Sequence, residues 1–249
     1  MNATQVVLLL LAGVGAGTIG STAGLASLIS YPALLAVGLP PVTANVTNTV
    51  ALVASATGSA LGSRPELSGQ SGEVRRLAGV AVAGGATGAI LLLMTPADAF
   101  ERVVPFLVGL ASVLLLAQPR IRQLRRERIG SGARWVVPAA TYLISVYGGY
   151  FGAAAGVMLL AVLLVLTEET LVRANALKNV LLGVANGVAA LGFVVLADVR
   201  WAAALPLALG FLAGGALGPA VARRVPATPL RVVVAVAGLG LAVRLWMTA

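Results

Sequence analysis

The sequence predicts an all-α polytopic membrane protein, and three observations carry that prediction. Of 249 residues, 59% are hydrophobic and only 10% charged, against about 25% charged in soluble domains. Mean hydropathy is +0.99. Apolar runs long enough for a bilayer, which needs about 20 residues per helix, recur from one end of the sequence to the other. A cleaved signal peptide would account for the first run alone. That run has no basic leader, and the apolar pattern continues past it.

The first segment, 4–37, exceeds a single span and contains GVGAGTIGSTAGLASLISYP at 13–32. Gly costs about 1 kcal/mol against Ala inside a helix and Pro about 3 kcal/mol, so this composition predicts a break inside the membrane, with Gly20, Gly24 and Pro32 as its hinges. Segment 42–62 opens with TANVTN (43–48) and carries small residues on to ATGSALGSR (56–64). Segments 77–95 and 103–118 read as ordinary spans. A basic connector, PRIRQLRRERIGSGAR, fills 119–134. Segment 135–166 is again too long for one crossing and is interrupted by GGYFGAAAG (148–156), which predicts a second break at Gly148, Gly149 and Gly156. Segment 174–196 opens under RANALKN (173–179). Segments 200–221 and 229–247 complete the pattern, the former ending in the small-residue stretch LAGGALGPAVARR (212–224). Small residues let helices approach closely in lipid. Trp135, Trp201 and Trp246 lie at segment ends, where membrane-interface aromatics belong.

The pattern divides into two four-segment repeats, 1–118 and 135–249, each opening with a long Gly-rich broken helix or hairpin and joined by the connector 119–134. Charge tests the topology. If each long segment is a hairpin returning to its starting side, 14 of the 17 Lys and Arg fall on one side, and only Arg102, Arg200 and Arg244 on the other. If each crosses once, the division is 11 against 6. The positive-inside rule favours the hairpins and a cytoplasmic connector. A hairpin plus three spans makes an odd number of crossings. The second repeat is then inverted relative to the first, and both termini lie outside the cytoplasm. Inverted repeats with broken helices recur in transporters, with the site between the repeats.

With no Cys and no His, thiol chemistry, disulfides and the usual zinc and proton-shuttle residues are excluded. No phosphate-binding loop, nucleophile elbow or metal-ligand cluster is present, so neither a cofactor nor an enzymatic activity is expected. The net charge of +9 sits in short connectors, which suits a cytoplasmic face against anionic lipid rather than nucleic acid.

Ala16-Gly17, Ala23-Gly24, Pro32-Ala33-Leu34-Leu35, Gly38-Leu39-Pro40-Pro41 and Ala44-Asn45-Val46-Thr47-Asn48 follow one another with an order and spacing that resemble the sulfite exporter TauE/SafE family, also called the toluenesulfonate uptake permeases. In the second half GGYFGAAAG, NALKN (175–179) and the stretch from Trp201 through ARRVP (222–226) are similar too. The hairpin departs from the family pattern at Leu25, Ala26 and Ser27, where consecutive glycines are common. The resemblance implies transport of small anions such as sulfite, sulfonates and related organic acids across a bacterial inner membrane. The expected partners are the bilayer and the anion, and a homo-oligomer is compatible with the pattern.

An anion inside a membrane needs donors and positive potential. Half-helix N-termini at the breaks supply both, with Gly24, Gly149 and Gly152 letting backbone approach the substrate and Ser27 and Ser30 adding hydroxyls. Asn175, Asn179 and Asn186 share one helical face. Asn45, Asn48, Ser55 and Ser59 form a similar band, flanked by Thr47 and Thr49. Asn48 and Asn179, read as corresponding positions of the two repeats, are the leading candidates. These amides have a plainer use, hydrogen bonding helix to helix. Lys178, an ionisable residue within an apolar run, is a functional candidate by default; snorkelling to the interface is its plainer use. The eight carboxylates all sit in connectors or at segment edges, which speaks against a cation relay and for an anionic or neutral substrate. Glu168 and Glu169 near Arg173 suggest a gate or an interfacial ion pair. The alternatives to a transporter are a membrane scaffold or accessory subunit, and a channel.

Overall fold

A computed structural model describes residues 1–123, 133–167, 169–222 and 228–248. The central part of the basic connector, Glu168, Arg223 and Arg224 lie outside the described residues. Among those described, every element is a helix. The first long segment divides into α1 (Ala3–Ala23) and α2 (Ser27–Ala36). α3 (Pro41–Gly62) is followed by a single turn, α4 (Arg64–Leu67), then α5 (Ser71–Met94) and α6 (Ala97–Gln123). The second long segment divides into α7 (Ala133–Tyr150) and α8 (Ala155–Leu166), followed by α9 (Leu171–Leu196), α10 (Trp201–Ala222) and α11 (Thr228–Thr248). Four of these, α1, α5, α9 and α10, are long and apolar enough to cross a membrane by length and composition.

Polarity is distributed as a lipid solvent dictates. Leu11, Leu143, Leu191, Val195 and Leu209 are exposed, while Asn45, Asn48, Asn175, Asn179 and Lys178 are buried. Trp135, Trp201 and Trp246 are exposed at the ends of α7, α10 and α11, where the sequence placed them.

Both long segments are broken. Gly24 ends α1 in the left-handed conformation (φ 81°), and the Gln5 side chain donates to the Val37 carbonyl at 3.4 Å. The start of α1 thus meets the end of α2, and the segment folds back on itself. Gly38 (φ 92°) then stops α2, with the Leu39 amide returning to the Leu34 carbonyl. Pro41, at the first helical position of α3, has its φ preset for the new helix. In the second segment the chain turns through Gly152 (φ 75°) and Ala154 (φ 60°). Val137, near the start of α7, shares an apolar cluster with Leu163 and Leu164, near the end of α8.

The break positions differ from the sequence expectation at five residues. Pro32 lies within a continuous α2; a ten-residue helix tolerates the lost amide where a longer ladder would kink. Gly148 and Gly149 remain inside α7, and Gly149 backs onto the Gly85 backbone of α5, a packing role. Gly20 and Gly156 flank the breaks instead of forming them. A Cβ at Gly20 would lie 2.6 Å from the Ala26 Cβ, and one at Gly156 would lie 2.5 Å from the Gly24 Cα. The two breaks therefore cross backbone on backbone.

Small residues also fix the helix neighbours. Gly13 and Gly17 of α1 face Gly210 and Gly214 of α10 in parallel register, and Gly84 and Gly88 of α5 face α7 at Ser145 and Gly149 in the same sense. α3 and α9 run antiparallel, with Ala56 opposite Gly183 and Ser59 bonded to Asn179. At one end of the molecule Arg173 donates to the Ser68 carbonyl and Gln70 to the Arg173 carbonyl. At the other end the Arg200 amide donates to Thr47.

Candidate functional site

The break leaves the last carbonyls of α1 short of intrahelical donors, although the Gly24 amide still returns to the Gly20 carbonyl at 2.8 Å. The last four carbonyls of any helix lack intrahelical donors and carry partial negative charge. Here α9 supplies the donors. Asn175 Nδ2 lies 2.7 Å and Asn179 Nδ2 3.0 Å from the Ser21 carbonyl. Lys178 Nζ lies 3.2 Å from the Gly20 carbonyl and 2.8 Å from Asn175 Oδ1. Asn179 also bonds Ser59 Oγ on α3 at 2.5 Å. Lys178 is 0% exposed, so its ammonium is held at the break and does not snorkel.

Beside this cluster lies a cavity of about 60 Å³, room for about four waters or one compact oxyanion. Its walls are the two breaks (Gly20, Ser21, Gly24, Ala26, Ser27, Gly152 and Gly156), α3 (Leu52, Ser55, Ala56 and Ser59) and α9 (Lys178, Asn179, Leu182, Gly183 and Asn186). Ala26, Ser27 and Gly156 stand at the starts of α2 and α8, where the Leu28, Ile29, Ala155 and Val157 amides return to the Leu25, Ala26, Gly152 and Ala154 carbonyls. The negative end of α1 is covered by Lys178, Asn175 and Asn179, whereas the positive ends of α2 and α8 face the cavity. No Asp or Glu lines it among the described residues. Lys178 is its ionisable wall residue, and the sum of ammonium, amides and hydroxyls suits negative charge.

The remaining candidates serve elsewhere. Asn48 is not on the cavity wall; its Nδ2 donates to Ser27 Oγ at 3.1 Å and its Oδ1 accepts from Ser30 at 2.6 Å. It ties α3 to α2, and only Ser27 of these three reaches the cavity. Asn45 Nδ2 donates to the Tyr150 carbonyl at the end of α7 at 2.8 Å. Thr47 accepts from the Arg200 amide at 3.1 Å. The expected pairing of Asn48 with Asn179 is thus replaced by another. Asn45 and Asn175, each following an Ala, both donate to a last-turn carbonyl of the other half's broken helix. In that register Asn48 matches Lys178. Ser21 was not singled out, because it contributes a carbonyl, which no side chain announces. Glu169, just before α9, forms an ion pair at 2.7 Å with Arg173 of its first turn.

Toward the end of the molecule where α3 begins, the breaks are packed against aromatic rings. Tyr31 and Phe151 meet edge to face with centroids 5.3 Å apart, and Phe100 lies 6.2 Å from Phe151. All three are buried. The Tyr31 hydroxyl donates to the Pro41 carbonyl at 3.5 Å.

Buried polar groups at crossed helix breaks, inside a shell of lipid-facing apolar residues, define a multi-pass membrane protein with an internal polar site. The family model for the sulfite exporter TauE/SafE family matches residues 9–245. The chain belongs to that family of membrane transporters. It is 28% identical over 204 residues to the probable membrane transporter protein YfcA of Escherichia coli, covering 82% of this chain and 75% of that protein. It is 25% identical over 231 residues to the probable membrane transporter protein ORF9 of a Sinorhizobium species, covering 92% and 88%. No solved structure gives a significant match.

Proposed function

We propose that the protein is a secondary transporter for small anions, sulfite, sulfonates or related organic acids, working by alternating access around the cavity between two inverted halves. The observation that carries this reading is the buried Lys178 ammonium on a cavity wall that also holds Ala26, Ser27 and Gly156 at the starts of α2 and α8, with no carboxylate among the described wall residues. The helix pairings support the inverted arrangement. α3 and α9 meet antiparallel, and α1 pairs with α10 as α7 pairs with α5, the relations expected of repeats exchanged by a two-fold axis in the membrane plane. The basic ends at Arg64, Arg75, Arg76 and Arg173 then face the cytoplasm. The cavity size favours a compact oxyanion over an aromatic sulfonate in this conformation.

The test is flux in proteoliposomes holding the purified protein, with labelled sulfite, thiosulfate, sulfoacetate and an aromatic sulfonate offered in turn. Saturable uptake of a compact oxyanion, reduced at least about tenfold in Lys178→Met by loss of a charge-assisted bond, is the expected result. Uptake that rises linearly with concentration would make the protein a channel. A folded protein that moves none of these anions would make it a scaffold or accessory subunit.

A further inference from the structure

The two Asn residues that serve the opposite half's broken helix are not equally satisfied. Asn175 Oδ1 accepts from Lys178 Nζ at 2.8 Å. Asn45 is 1% exposed, and its Oδ1 is buried with no hydrogen-bond partner. The amide cannot be turned around to solve this, because its Nδ2 already donates to the Tyr150 carbonyl at 2.8 Å and an oxygen there would face an oxygen. A buried amide oxygen left unsatisfied costs about 1–3 kcal/mol. The residue that would relieve it by analogy with Lys178 is Asn48, whose amide is engaged by Ser27 and Ser30.

The neighbouring backbone has the same deficit. The Phe151 and Gly152 amides both return to the Tyr147 carbonyl. The last carbonyls of α7, at 148–150, are therefore passed over by the following turn, at the partially negative end of a helix. In the first half the corresponding end is neutralised by an ammonium. In the second half a neutral amide alone meets it.

We propose that Asn45 Oδ1 and the last-turn carbonyls of α7 form a site for one dehydrated monovalent cation of the size of Na⁺. The cation does at the second break what the Lys178 ammonium does at the first. The donor set is entirely neutral oxygen, and α2, α3, α7 and α8 carry no Asp or Glu. That disfavours Ca²⁺ and Mg²⁺, which take carboxylates. A proton is excluded as the occupant, because neither an amide nor a peptide carbonyl titrates near neutral pH. Half-helix C-termini and carbonyls at helix breaks suit a coupling cation. Gly24 and Gly156 cross on the wall of the anion cavity, and Gly156 follows the end of α7 by six residues, so the backbone of the second break is shared by the two sites. The coupling, though not the cation binding, rests on the anion-transporter reading above.

The experiment is thermal unfolding of the purified full-length protein in detergent, with Na⁺, K⁺ and choline exchanged at constant chloride and ionic strength. Na⁺ alone is expected to raise the transition, rising with the logarithm of its concentration above the dissociation constant and by about 5 °C or more at 100 times that constant. The Asn45→Ala variant should lose that response. Asn48→Lys, which brings an ammonium to the matching register position, should be stabilised in choline and indifferent to Na⁺. Equal transitions of the wild-type protein in the three salts would overturn the proposal, even if both variants failed to fold. So would a Na⁺ response that survives in Asn45→Ala, which would leave a bridging water as the partner of Asn45 Oδ1. Sulfite added as its choline salt separates the two readings: a response to sulfite without one to Na⁺ retires only the cation site, and the reverse retires only the anion.

Discussion

The two helix breaks share a topology and differ in chemistry. At the first, Gly24 ends α1 with its amide on the Gly20 carbonyl, and the carbonyls of Gly20 and Ser21 are met by Lys178, Asn175 and Asn179. At the second, Asn45 is the side chain that meets the end of α7 among the described residues, and its surroundings are the rings of Tyr31, Phe100 and Phe151. One break carries charge and borders the cavity with polar side chains. The other gives the cavity only backbone, at Gly152 and Gly156, and turns its aromatic side toward the beginning of α3. The difference teaches that two breaks of like form need not have like chemistry. On the reading proposed above, two breaks that cross at their glycines divide the work, one binding and one sealing.

The largest effect should come from blocking the crossing itself. Gly156→Leu, or Gly24→Leu, forces a side chain into backbone, and at Gly24 adds about 1–2 kcal/mol for a left-handed non-glycine residue. Loss of monodisperse folded protein on size exclusion is expected for both. Gly38 also has positive φ but open space around it, so Gly38→Ala should cost only about 1–2 kcal/mol and leave a folded protein; equal damage at Gly38 and Gly156 would show that the crossing is not special. Next, Phe151→Ala removes the centre of the aromatic packing. It should destabilise by about 3–5 kcal/mol, and proteoliposomes should leak the substrate without saturation. Flux that stays tight and saturable would deny the rings a sealing role. A smaller effect is expected from Asn179→Ala, which strips a donor from Ser59 and the Ser21 carbonyl. About 1–3 kcal/mol of stability should be lost in thermal or denaturant unfolding. Smallest of all is Glu169→Gln. Its pair with Arg173 is partly solvated, so a loss of about 0.2–1 kcal/mol with unchanged flux is predicted. A collapse of transport there would revive the gate that the sequence suggested.

The helices were legible because lipid imposes a simple rule on them. The segment 42–62 became α3 at 41–62, and 174–196 became α9 at 171–196. The existence of two breaks was legible as well, since 34 and 32 residues of apolar chain exceed one span. Their positions were not. Pro32, Gly148 and Gly149 carry the same composition signal as Gly24 and Gly152, and only the packing partner separates a hinge from a contact. The one-turn helix α4 is too short to leave a period in the sequence. Lys178 was found because a charge inside an apolar run is conspicuous. The role of Ser21 was invisible because it works through its carbonyl. Asn48 was mispaired because composition alone set its register against Asn179, whereas Ala44-Asn45 and Ala174-Asn175 set it one residue away.

The central claim is that the first break binds the anion through Lys178. The most direct measurement is a sulfite titration of the purified protein followed by thermal unfolding, in wild type and in Lys178→Met side by side. Stabilisation of the wild type that rises logarithmically with sulfite, reaching about 2.7 kcal/mol at 100 times the dissociation constant and absent or right-shifted at least about tenfold in the folded variant, is predicted. Identical titration curves in the two proteins would contradict it and leave Lys178 as a clamp on the end of α1.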